Sequence, residues 1–188
     1  IMDNNKAVTL AMDVFFVNQI PFLLTVSRNL GFTTVGHLEN KTMKCIFDAF
    51  KFVYQQYLNR GFKITLVLVD GEFAALQALI HEMNNGPRVN LTSANEHVPE
   101  AERRIRVVKE RVRANRHDLP FTRIPKLMLI HMVFDCVTML NFFPTKGGVA
   151  GISPKLLLTG VGLNKNKHFR QKFGSYCQVH EENQPRNS

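Results

Sequence analysis

Little in the sequence would staple or anchor the chain. Its three cysteines, Cys45, Cys136 and Cys177, are odd in number and far apart, which excludes a disulfide framework and a CxxC zinc site. None of the seven histidines pairs with a cysteine at finger spacing, so no local structural zinc is expected. No apolar run reaches the roughly 18 to 20 residues that cross a bilayer. The N-terminus also lacks the basic, apolar and small-residue order of a signal peptide. The chain therefore reads as soluble and intracellular, with no membrane partner. Acid is scarce too: 15 Asp+Glu against 24 Lys+Arg leave a formal net charge of +9, and the expected partner is a polyanion.

What is present suffices for a globular domain with a sizeable core: 188 residues, 45% of them hydrophobic. The β-branched and aromatic stretch from Val8 to Val17 predicts a buried strand interrupted by one carboxylate, Asp13. Pro21 to Ser27 and Phe32 to His37 follow as strands about the Asn29 to Gly31 turn, giving an antiparallel meander. Between Asn40 and Arg60 the apolar residues fall at helical spacing, with Asn40 as N-cap and Gly61 just past the end. Lys63 to Val69 has the near-continuous apolar pattern of a central strand and ends at Asp70-Gly71.

Phe73 to Met83 is a second amphipathic helix, and a short strand is expected around Arg88 to Leu91. Pro99 to about Asn115 is a third helix, with Ala101, Ile105, Val108 and Val112 on one stripe. Pro125 to about Phe142 is apolar on nearly every side apart from His131 and Asp135, the pattern of a buried or subunit-interface helix. Part of it is expected in a homodimer interface. The Gly147-Gly148 stretch reads as a linker, Gly174 to Val179 as strand-like, and the polar tail from His180 to Ser188 as frayed. This order is α/β, a ribonuclease-H-like mixed five-stranded sheet flanked by helices. Residues 1–145 form the core, and 146–188 a linker with the start of a following basic segment.

Three carboxylates sit where core packing does not call for them: Asp13 mid-strand, Asp70 at a strand end, and Glu102 in the first turn of a helix. Each alone has an ordinary explanation, in a backbone hydrogen bond, a turn or a helix dipole. Together, on two adjacent strands and a covering helix, they can meet at one point. Three uncompensated acids there would raise one another's pKa, so the cluster implies a bound divalent cation. All-oxygen ligation favours Mg2+ or Mn2+, and two such ions about 3.5 to 4 Å apart suit phosphodiester displacement.

From Arg103 to Arg116 there are seven basic residues and one acid, Glu110. Arg106, Lys109 and Arg113 follow Glu102 at i+4, i+7 and i+11, a cationic track suited to a nucleic-acid backbone. A solvated helix face with i,i+4 support is the plainer alternative.

MDVFFVN around Asp13, LVDGEF around Asp70 and PEAERRIRVVKER around Glu102 resemble the three catalytic blocks of a DDE-type integrase, that of copia-type retrotransposon polyproteins. The later NFFP, SPKLLLTG and FGSYCQVHEE segments resemble the same family's continuation, so the likeness covers nearly the whole chain. Asp70 and Glu102 lie 32 positions apart, a spacing such integrases tolerate.

The resemblance implies Asp13, Asp70 and Glu102 as catalytic metal ligands, and Arg106, Lys109 and Arg113 as DNA-binding residues. It implies 3′-end processing of element DNA and strand transfer into target DNA, with assembly at least as a homodimer. It also implies a nuclear location after a cytoplasmic particle stage. Two departures stand out: Asp70-Gly71-Glu72-Phe73 is more compact than the family's second block, and Val98-Pro99-Glu100-Ala101 replaces its Asn-Gly before the third acid. Glu100 thus rivals Glu102, although two residues about 200° apart on a helix cannot both face the metals. The family's N-terminal His/Cys zinc domain has no counterpart here, so a core fragment of a polyprotein is expected. The alternatives are a ribonuclease-H-like nuclease, or a catalytically dead nucleic-acid-binding or dimerisation module.

Overall fold

A computed structural model describes residues 6–83, 86–91, 98–149 and 151–177. Five strands form one sheet: β1 (Ala7–Val17), β2 (Ile20–Ser27), β3 (Thr33–His37), β4 (Lys63–Val69) and β5 (Arg88–Leu91). Their spatial order is β3-β2-β1-β4-β5. The first three pair antiparallel as a meander, and β4 and β5 join parallel to β1 through helical crossovers. Helices α1 (Met43–Leu58) and α2 (Ala74–His81) cover one face, while α3 (Pro99–His117) and α4 (Lys126–Leu140) cover the other.

Alternation along β1 separates the two cores. Val8, Leu10 and Met12 pack with Ile46, Phe50 and Tyr57 of α1; Phe15 packs with Val108 and Val112 of α3 and Met132 and Val133 of α4. Between them Ala11 meets Leu68 of β4, Val26 of β2 and Ala101 of α3 in a small third cluster. The period of two in β1 therefore places Asp13, between Ala11 and Phe15, on the α3 side of the sheet.

A break in register extends that placement to β4. The pairing runs Val8 to Ile64 and then Thr9 to Leu66, so Thr65 is an extra residue, and its Oγ1 donates to the Val8 carbonyl at 3.3 Å. Beyond this bulge Leu66 and Leu68 share the α3 face with Ala11. Asp70, still extended at φ −68° and ψ 157°, continues that series. Without the extra residue the end of β4 would present the opposite face.

The sequence-based boundaries hold closely, with three corrections. Thr42, not Asn40, caps α1: Thr42 accepts from the Cys45 N–H, and Asn40 Oδ1 accepts from the Thr42 amide and hydroxyl one step back. The chain after Gly147-Gly148 does not leave the core. Helix α5 (Pro154–Thr159) buries Leu157 and Leu158 in the α1 cluster, and the Lys155 N–H donates to the Asn141 carbonyl. The strand expected from Gly174 forms no ladder through Cys177, and its last residues, with the polar tail, lie outside the described ones. A short helix, α6 (Lys165–His168), precedes it. The apolar α4 is used mostly within the subunit: Leu129, Ile130, Met132, Val133, Cys136, Val137 and Leu140 are buried, while Leu127 is exposed.

Asn141, at the end of α4, is buried against β3. Its Oδ1 accepts from the Thr33 N–H at 2.9 Å, and its Nδ2 donates to the Thr33 carbonyl at 2.7 Å. Truncation would leave both backbone groups buried and unpaired. Asn141→Ala is therefore expected to lower stability by about 2 to 3 kcal/mol in denaturant unfolding, whereas a loss under about 0.5 kcal/mol would show that water replaces the side chain.

Candidate active site and nucleic-acid groove

Helix α3 has three faces. Ala101, Ile105, Val108 and Val112 form its buried keel. At about 100° per residue, Glu102, Arg106, Lys109 and Arg113 fall on one flank, and Glu100, Arg103, Arg104 and Val107 on the other. With Ala101 packed in the cluster that holds Ala11, the first flank lies beside Asp13. One open groove is lined together by Asp13, Phe15, Phe16, Glu102, Arg106, Lys109, Glu110 and Arg113. Five of the six site residues read from the sequence thus line a single surface. The sixth, Asp70, joins it through the field it exerts on Asp13.

That field adds to the effect of burial. The Asp13 carboxyl is pushed up from an ordinary 3.8 to about 6, mainly by burial, with further contributions from the negative charges of Asp70 and Glu72. The Val14 N–H, donating to Asp13 Oδ1 at 2.6 Å, and the ammonium of Lys41 act in the opposite sense. Lys41 is itself bonded to Glu72 at 2.8 Å. Sequence reasoning passed over this Lys41–Glu72 pair. Its signal was the second acid in Asp70-Gly71-Glu72, where the chain winds into a 3-10 turn from Gly71 to Phe73 before α2.

The rivalry between Glu100 and Glu102 has a geometric answer. Glu100 Oε1 accepts from Arg28 Nε at 3.0 Å and Nη2 at 2.7 Å, which turns Glu100 to the far flank of α3. Glu102 remains on the groove side with Asp13. Even so, among the described residues no three His, Cys, Asp or Glu side chains lie close enough together to hold one metal ion. Asp13 and Glu102 share the groove and the charge of Asp70 acts on Asp13, but the expected meeting of the three carboxylates at one point is not found among the described residues.

The donor chemistry suits a hard cation: carboxylate oxygens, one of them with its charged form penalised by burial and by neighbouring acids, gain most from a divalent ion. The described residues do not bring Asp13, Asp70 and Glu102 together as the ligands of one such ion.

Another feature was not read from the sequence. The β1–β2 hairpin closes through Asn18 and Gln19, both at positive φ (48° and 66°), a two-residue turn of the kind that matches strand twist. It brings Phe16, Val17 and Asn18 beside Lys109, Arg113 and Arg116, so the basic flank continues past the groove toward the hairpin tip.

No family model and no curated protein sequence matches the chain. Among solved structures, the catalytic core domain of BIV integrase superposes with a TM-score of 0.54 at 15% identity, covering 81% of this chain and 93% of that one. The likeness is one of fold: the chain has the ribonuclease-H-like architecture of an integrase core, with its mixed five-stranded sheet and flanking helices.

The raised proton affinity of Asp13 fixes a pH dependence. The folded carboxyl keeps its proton to about pH 6, whereas the unfolded one releases it near the ordinary 3.8. In chelator-treated protein, stability should therefore fall as pH rises from about 4 to 6 and level off above. Asp13→Asn should flatten that decline and raise stability at pH 7 by roughly 1 to 2 kcal/mol, given the solvent that still reaches the carboxylate. Thermal melts across pH would test it, and an unchanged pH profile in the variant would place the titrating group elsewhere.

Proposed function

We propose that this chain is the catalytic core of a copia-type retrotransposon integrase, which trims the 3′ ends of element DNA and joins them to target DNA. The observation that carries the reading is one groove in which an acid face and a basic track meet on an integrase-core fold: Asp13 and Glu102 beside Arg106, Lys109 and Arg113. The cations run along the helix away from the acids, so a phosphodiester backbone laid against them brings one end to the carboxylates. Arg106, one helical turn from Glu102, holds the phosphate nearest the acids, and Lys109 and Arg113 hold the backbone beyond.

A bound Mg2+ or Mn2+ would supply charge neutralisation and polarisation of the scissile phosphate. The protein's own part is to fix the strand, to present Asp13 with its field from Asp70, and to keep Glu100 out of the groove through Arg28. Assembly into a dimer belongs to the same reading and would draw on the part of α4 left outside the core, around Leu127.

A second reading, a nucleic-acid-binding module without catalysis, is favoured by the spread of the acids. A strand-transfer assay with a labelled duplex mimicking an element end separates the two. The integrase reading expects Mg2+-dependent joining that Asp13→Asn abolishes while duplex affinity is kept; binding without joining by the wild type would leave the module. The two readings share one further expectation, that the groove holds DNA by phosphate contact. Lys109→Ala should weaken binding alike on all sequences and lower the log-log salt slope by about 1. Salt-titrated affinities identical to wild type would remove this flank from the DNA surface.

A further inference from the structure

The far flank of α3 faces a separate cavity. Its wall carries Arg28 from the end of β2, Arg103 and Arg104 from α3, and Lys146 from the loop after α4, with Glu100 as the acid among them. Its volume, about 370 Å³, falls within the roughly 300 to 1,000 Å³ of ligand clefts. Arg28 Nε and Nη2 both donate to Glu100 Oε1, while Glu100 Oε2 is buried without a partner; the acid offsets one of the four cations on this wall. Arg103 turns its Nε back to the Pro99 carbonyl at 3.1 Å. Arg104 is half-buried and has neither a hydrogen bond nor an acid partner among the described residues. Removing a guanidinium from water without a counter-charge is unfavourable, and here burial and the neighbouring Arg111 push its pKa down.

The loop opposite is built to come close. Gly31 sits at φ +67°, and a Cβ there would run into Thr145 Oγ1. Gly148 is nearly as tight, with a Cβ falling 2.9 Å from the same atom. These two glycines let Thr145-Lys146-Gly147-Gly148 fold against the β2–β3 turn, which brings Lys146 to the Arg104 side of the cavity. The Thr145 hydroxyl is itself buried between these glycines, away from the cavity, and has no partner.

We infer that this cavity is a second seat for nucleic-acid backbone phosphate, on the opposite flank of α3 from the Asp13 groove and formed by Arg104 and Lys146. The inference rests on the reading of the first groove as a nucleic-acid track and adds a second contact line, so that α3 stands as a rib with backbone on both sides. Phosphate is the ligand chemistry that satisfies a planar guanidinium and an ammonium together.

Salt-titrated binding of a labelled duplex to the full chain, comparing wild type with Lys146→Ala, Arg104→Gln, Lys109→Ala and the Lys109→Ala/Lys146→Ala double variant, tests it. Lys146 is exposed, so its substitution leaves the fold in place even if Arg104→Gln does not. The expected result is a log-log slope lower by about 1 for Lys146→Ala and by about 2 for the double variant. Lys146→Ala titrating as wild type would overturn the seat.

A thermal-shift arm with inorganic phosphate distinguishes the source of the anion. A Lys146-dependent rise in midpoint with phosphate alone, without any change in duplex slope, would assign the cavity to a free anion and overturn the nucleic-acid seat. A wild-type slope for Lys109→Ala with a reduced one for Lys146→Ala would instead remove the first groove and support the second.

Discussion

The packing of Ala101 into one small buried cluster with Ala11 is the constraint from which the functional surface follows. Both residues are buried, with Val26, Leu68 and Val98 around them. Small side chains at both positions let the first turn of α3 pack close over the central strands. Close seating then fixes the helix rotation: with the keel turned inward, one flank must face Asp13 and the other must face the β2–β3 turn. The same seating places Glu100 within reach of Arg28. A bulkier residue at either alanine would lift the helix and separate the acid of the strand from the cations of the helix together.

The elements were legible because their signals were local. The apolar run KITLVLV coincides with β4, and the stripe Ala101, Ile105, Val108 and Val112 is the observed keel. Even the grouping of Glu102, Arg106, Lys109 and Arg113 follows from helical arithmetic alone. The features that escaped depend on residues brought together from far along the chain. Arg28 and Glu100 are 72 positions apart, and Asn141 and Thr33 are 108 apart. The extra residue at Thr65 cannot be seen as a bulge until β1 is laid beside it. Gly147-Gly148 looks like a linker because glycines mark both flexible chain and close approach; only the neighbouring Thr145 and Gly31 show which is meant here.

The candidate site shows the same division. Composition and helical periodicity foretold a concentrated positive charge, and the strand and helix phases put five residues on one groove. Burial supplied what no pattern carries, namely that Asp13 holds its proton to about pH 6. Burial is the largest cause of that shift, and the charges of Asp70 and Glu72 add to it.

The bracket that Asn141 places on Thr33 has a consequence for how copies of this chain could meet. β3 is the outer strand on its side of the sheet, and an unguarded outer strand is a template on which another chain can lay its own backbone. The amide of Asn141 occupies both the donor and the acceptor of Thr33, as an additional strand would. At that end the sheet is thus terminated by a side chain, and continuous cross-molecule β-structure is blocked where it would start. A strand approaching β3 at that end would first have to displace the Asn141 amide, which raises the barrier to its addition at this margin of the sheet.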